Sequence, residues 1–116
     1  MEIRKTYHEV NPELLYNEIK DFTLKQGAII GDQKMETYSV PTDSSIFTSR
    51  GTITFKMLDA SGKPGPECLS AHIVGAARGE TKLLLDVDEK LFPEQKLAAL
   101  QSDLDFMLGS YEVKSV

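Results

Sequence analysis

Residues 46 to 58 alternate without a break. Phe47, Ser49, Gly51, Ile53, Phe55 and Met57 fall on one side, and Thr48, Arg50, Thr52, Thr54 and Lys56 on the other. A period of two is the mark of a long strand with one buried and one watered face. Such a strand needs neighbours to pair with and a layer to cover its apolar side. The rest of the chain is read for both.

Four further segments offer strands. Residues 1 to 10 place Ile3 and Tyr7 on one face, with Arg4, Thr6 and His8 on the other. Residues 29 to 40 form the next strand, ended by Pro41, and "VPTDSS" (40 to 45) is turn chemistry. A loop spans 59 to 66. Residues 67 to 77 and 80 to 88 pair as a hairpin across Arg78-Gly79, with Leu83, Leu85 and Val87 facing in. Two helices supply the cover. Asn11 caps the first and Pro12 suits its first position, where a missing N–H costs nothing. Val10 and Leu15 are spaced as a hydrophobic staple. Leu15, Ile19 and Phe22 form its stripe, and Gly27 suits a left-handed stop. Pro93 opens the last helix, which runs to about Tyr111 and buries Leu97, Leu100, Leu104, Leu108 and Tyr111.

The expected fold is α+β, a single domain over 1–116 in the order β-α-β-β-β-β-α. Both helices lie on one face of an antiparallel sheet, the long C-terminal one across it. A chain of 116 residues can bury enough surface to fold without metal or disulfide. Its one cysteine fits a reducing compartment, no apolar run is long enough to span a membrane, and the N-terminus lacks a signal peptide's apolar core. The expected setting is cytoplasmic.

This order resembles two architectures. One is the helix-grip fold of START and pollen-allergen-like (SRPBCC-type) lipid-binding domains. The other is the TATA-binding-protein-like (TBP-like) fold. The resemblance lives in "NPELLYNEIKDF", in the hairpin "AHIVGAARGETKLLLDV" and in "FPEQKLAALQSDLDFMLGSY" as the gripped helix. The chain is shorter than full-length helix-grip domains, which have two further strands and extra short helices. The first resemblance implies a ligand held between sheet and C-terminal helix. The second implies an outer sheet face that reads DNA. Arg4, Lys34, Arg50, Lys56 and Lys82 would point there, but with Glu2, Glu36, Asp86 and a single aromatic, Tyr38. A net charge of −5 further disfavours nucleic acid.

The segment "SGKPGPECLSAH" (61 to 72) suggests chemistry at first sight. Its Gly62-Lys63 lacks the upstream glycine and the following hydroxyl of a phosphate loop, and Pro64 removes a donor. Cys68 and His72, on one face of a strand, would stand about 13 Å apart, too far to share a metal. His8 and His72 could meet only if the first and fourth strands were neighbours. A general base with Glu36 or Glu67 is conceivable, but no nucleophile or oxyanion device accompanies it. No catalytic residue, metal ligand or cofactor is assigned.

The inner face is more suggestive. Ser49, Gly51, Ala71, Gly75 and Ala77 are small residues among larger apolar ones. They either let a helix approach closely or leave a pocket. The leading expectation is a small-molecule binding protein of reduced helix-grip type. Its apolar or amphipathic ligand would be lined by Tyr7, Phe47, Ser49, Phe55, Ala71, Leu85, Leu104 and Leu108, with Thr37 as another polar group. The runner-up is a protein-interaction or regulatory module, or a homodimer, using Phe106, which lies opposite the leucine stripe of its helix; Leu84 is a second outward apolar residue. An enzyme ranks third.

Overall fold

The alternating segment becomes the longest strand of a five-stranded antiparallel sheet. A computed structural model describes residues 1–40, 43–76 and 78–113, with backbone alone at 40 and 43–46. In chain order the elements are β1 (Glu2–His8), α1 (Pro12–Lys25), β2 (Ile29–Val40), β3 (Asp43–Leu58), β4 (Pro64–Gly75), β5 (Glu80–Val87) and α2 (Glu94–Leu108). A single 3-10 turn, Gly109–Tyr111, follows. The expected turn at 40 to 45, its Pro41 and the inward Ala77 fall wholly or partly outside the described residues.

The strand order is β1-β5-β4-β3-β2, and each neighbouring pair is antiparallel. Burial alternates along β5 and β3, which sorts the sheet into an inner and an outer face. The inner side chains Ile53, Phe55, Ala71, Ile73, Leu83 and Leu85 are all but inaccessible. Leu15, Tyr16 and Ile19 of α1 and Leu97, Leu100, Leu104 and Leu108 of α2 join them in one core. Both helices therefore cover the same face. Asn11 does cap α1: its Oδ1 accepts from the Glu13 N–H at 2.8 Å. Gly27 takes the expected left-handed conformation, φ 95°.

Helix α1 fits the sheet because of one glycine. A Cβ on Gly51 would stand 2.8 Å from a Tyr16 ring carbon and from the Met35 methyl. The ring thus rests on β3 where a side chain is missing, so here the small residue serves close approach. The two helices run antiparallel. The Lys96 ammonium of α2 donates to the Gln26 carbonyl at the C-terminal end of α1, where a cation also meets the favourable end of the helix dipole.

Two expectations change. Tyr111 is half-exposed rather than part of the leucine stripe, because the tighter 3-10 turn after Leu108 swings it off that line. Cys68 is buried although His72 is exposed. The reason is a bulge: Phe55 pairs with Leu69 and Lys56 with Glu67, so Cys68 is an extra residue that turns inward. Its Sγ donates to the Phe55 carbonyl at 3.4 Å. Cys68 and His72 therefore lie on opposite faces.

Two stability tests follow from these contacts. A Cβ on Gly75 would meet the Thr81 Cα at 2.5 Å and the Glu80 carbonyl oxygen at 2.7 Å, both backbone atoms. Gly75→Ala is expected to cost about 1–3 kcal/mol in urea unfolding. Gly51→Ala should cost a comparable amount: the Met35 methyl can move, but the Tyr16 ring packed under α1 is met at 2.8 Å as well. Glu18 of α1 is raised above its ordinary value, first by burial and then by Asp103 of α2 and Asp21, with Lys25 opposing. Ionising it therefore costs more in the folded chain than in the unfolded one. Stability should fall as pH rises through its titration. Glu18→Gln should raise Tm at neutral pH, and its advantage should vanish at pH values low enough to protonate Glu18 in both states.

Candidate functional site

The strand register sets the outer face out in rows. Arg4, Leu84, His72, Thr52 and Lys34 stand opposite one another across all five strands. The next row is Thr6, Lys82, Val74, Arg50 and Glu36. No helix covers these rows. They hold a hollow of about 550 Å³, open to solvent, whose lining includes Arg4, Arg50, His72, Val74, Lys82 and Leu84. That volume is within the range of small-molecule sites.

Its chemistry is mixed. Leu84 and Val74 are half-buried apolar residues at outward positions. Lys82 and Arg50 flank Val74, two strands apart, so their Cα atoms are about 10 Å from each other. Neither has an ion-pair partner among the described residues. Arg4 pairs with Glu2 at 3.3 Å, and Lys34 with Glu36, both at the surface where such pairs are weak. The acids Glu2 and Asp86 lie one row beyond Arg4, and Glu80 one row beyond Lys82. The hollow is thus a basic patch on an acidic chain, with an apolar floor. Such a surface attracts an anion and can shelter an apolar body beside it.

The residues expected to line an inner pocket are placed differently. Tyr7, Phe55, Ala71, Leu85 and Leu104 are fully buried against one another's neighbours in the core. Leu108 is buried at the edge of the core and lines a small groove between the two helices. Ser49 is buried and exchanges a 3.0 Å hydrogen bond with Thr37. Phe47 stays 54% exposed on the far part of the β2–β3 ribbon. Among the described residues the buried Tyr7 hydroxyl has no hydrogen-bond partner, and burial, with Glu112 and Asp105 nearby, holds it protonated.

The other candidates separate. β5 lies between β1 and β4, and His8 stands opposite Glu80 while His72 stands opposite Leu84. That puts the two histidines about 16 Å apart, beyond any shared role. In the Gly62-Lys63 loop the backbone donors already have an anion of their own. The Asp59 carboxylate accepts from the Ser61 hydroxyl, the Ser61 N–H and the Lys63 N–H, at 2.6, 2.9 and 3.0 Å. The Ser61 hydroxyl first, and then these N–H groups, hold its carboxyl below the usual range. The loop is a self-closed turn. Among the described residues no cluster of His, Cys, Asp and Glu is arranged to hold a metal.

Sequence reading did see that Arg4, Arg50 and Lys82 share the outer face. It missed Val74 as part of a floor. The signal was present, since Val74 is apolar at an outward parity position, as Leu84 is.

Burial raises the Cys68 thiol, so it is protonated and shielded at neutral pH. Thiol labelling of the native protein should be slow and should accelerate with denaturant in step with global unfolding. Fast labelling in buffer would mean that the bulge opens locally. No protein-family model, curated protein or solved structure matches the chain.

Proposed function

We propose that the protein binds a small amphipathic ligand, an anionic group attached to an apolar body, on the outer face of the sheet. The observation that carries this is the pairing of Arg50 and Lys82 around Val74, beside Leu84, in a hollow large enough for such a ligand. The anionic group would sit between guanidinium and ammonium, and the apolar body along Val74 and Leu84. Burial of the body contributes about 25 cal/mol per Å² of apolar area. This retains the small-molecule class expected from the sequence and moves the site from the inner to the outer face. The antiparallel sheet with two helices on one side is compatible with helix-grip-like topology, but Tyr16 and the leucines of α2 already occupy the inner face. A second reading, a protein-partner surface, is favoured by Phe106, 87% exposed on α2.

Decanoate is a suitable probe. It should bind by calorimetry, and decanol and inorganic phosphate should each bind more weakly. Arg50→Ala and Lys82→Ala should each weaken decanoate about tenfold, the size of one lost charge-assisted contact. Both residues are at the surface, so the variants should keep their fold. No decanoate binding, or equal binding to the double variant, would overturn the site.

A further inference from the structure

On the opposite side of the molecule, α1 and α2 leave a groove of about 170 Å³ between them. Leu14, Asn17, Glu18 and Asp21 of α1 and Met107 and Leu108 of α2 line it. Its rims are apolar and exposed: Leu14 is 59% and Met107 50% accessible. Its remaining charge is acidic. Glu18 faces Asp103, and Asp21 is beside it. Among the described residues the buried Asp103 Oδ2 atom has no hydrogen-bond partner. Among the described residues Lys25 is the one cation that acts on Glu18, and it forms no ion pair with these acids. An apolar groove thus adjoins negative charge that the chain itself does not neutralise.

We propose that this groove is the docking site of a basic amphipathic helix from a partner protein. Its apolar face would lie on Leu14 and Met107. Its Lys or Arg side chains would meet Glu18, Asp21 and Asp103. A third helix laid into the groove of an antiparallel pair is a common packing solution, and a helix in an apolar groove is a common mode of peptide recognition. Charge complementarity selects the occupant. The same groove of a second copy would bring acid against acid, and an anionic lipid surface would be repelled. The proposal does not depend on the outer-face ligand.

A helical leucine–lysine peptide is the probe, read by fluorescence anisotropy at low salt. Binding to the unmodified chain is expected. The paired substitution Glu18→Lys with Asp21→Lys should weaken it by at least about tenfold, and so should Leu14→Asp. All three positions are on the helix surface, and far-UV circular dichroism checks that the variants remain folded. Glu89→Lys, which changes the net charge away from the groove, should leave affinity within about twofold. The same peptide with serine in place of leucine should not bind. Absence of binding below about 1 mM would overturn the proposal. So would a loss on Glu89→Lys as large as that of the groove variants, because net charge alone would then explain the attraction.

Discussion

The ladder that sets Arg4, Leu84, His72, Thr52 and Lys34 opposite one another decides which side chains meet water. In a sheet, slipping one strand by one residue turns its whole inner face outward. The core packed under the helices and the basic patch on the far side are therefore two faces of one register. The hollow around Arg50 and Lys82 is as well specified as the contact between Tyr16 and Gly51. Packing on the inner face holds the outer rows in place without touching them.

Most of this was legible from parity and punctuation. The Asn11-Pro12 start, the Gly27 stop and the alternation from Ser49 to Phe55 each correspond to a local rule, and each appears in the structure, although Phe47 at the far end stays exposed. What was not legible depends on a neighbour. Cys68 breaks parity because β3 has one residue fewer there, and nothing in "PECLSA" announces it. Tyr16 was not in the expected stripe of α1, since its burial depends on a glycine thirty-odd residues away. The candidate site was half legible. Its cations could be assigned to one face, but the choice between a filled and an empty inner face required knowing what lies above each small residue.

The two sheet edges are protected by different means. Along β1, the segment after α2 returns. Glu112 bridges to Tyr7, the Val113 N–H donates to the Thr6 carbonyl at 2.7 Å, and Lys5 pairs with Glu112 and Asp105. Along β2, the register shifts between Ile30 and Gln33, and the Lys34 side chain stands on the edge. A bulge and a charge are common ways to discourage pairing with a stray strand.

The position of β1 has a consequence in time. Its sheet neighbour is β5, with Glu2 opposite Asp86 and His8 opposite Glu80. Everything between must be brought round before the first strand finds its place. The β2–β3 and β3–β4 ladders are local and can form early, whereas β1 closes a long loop whose entropy is lost before any contact repays it. During synthesis the first strand waits, unpaired, until the fifth has emerged. By the same loop-closure argument β1 is the last strand to pair, and with it comes the row that brings Arg4 to the outer face.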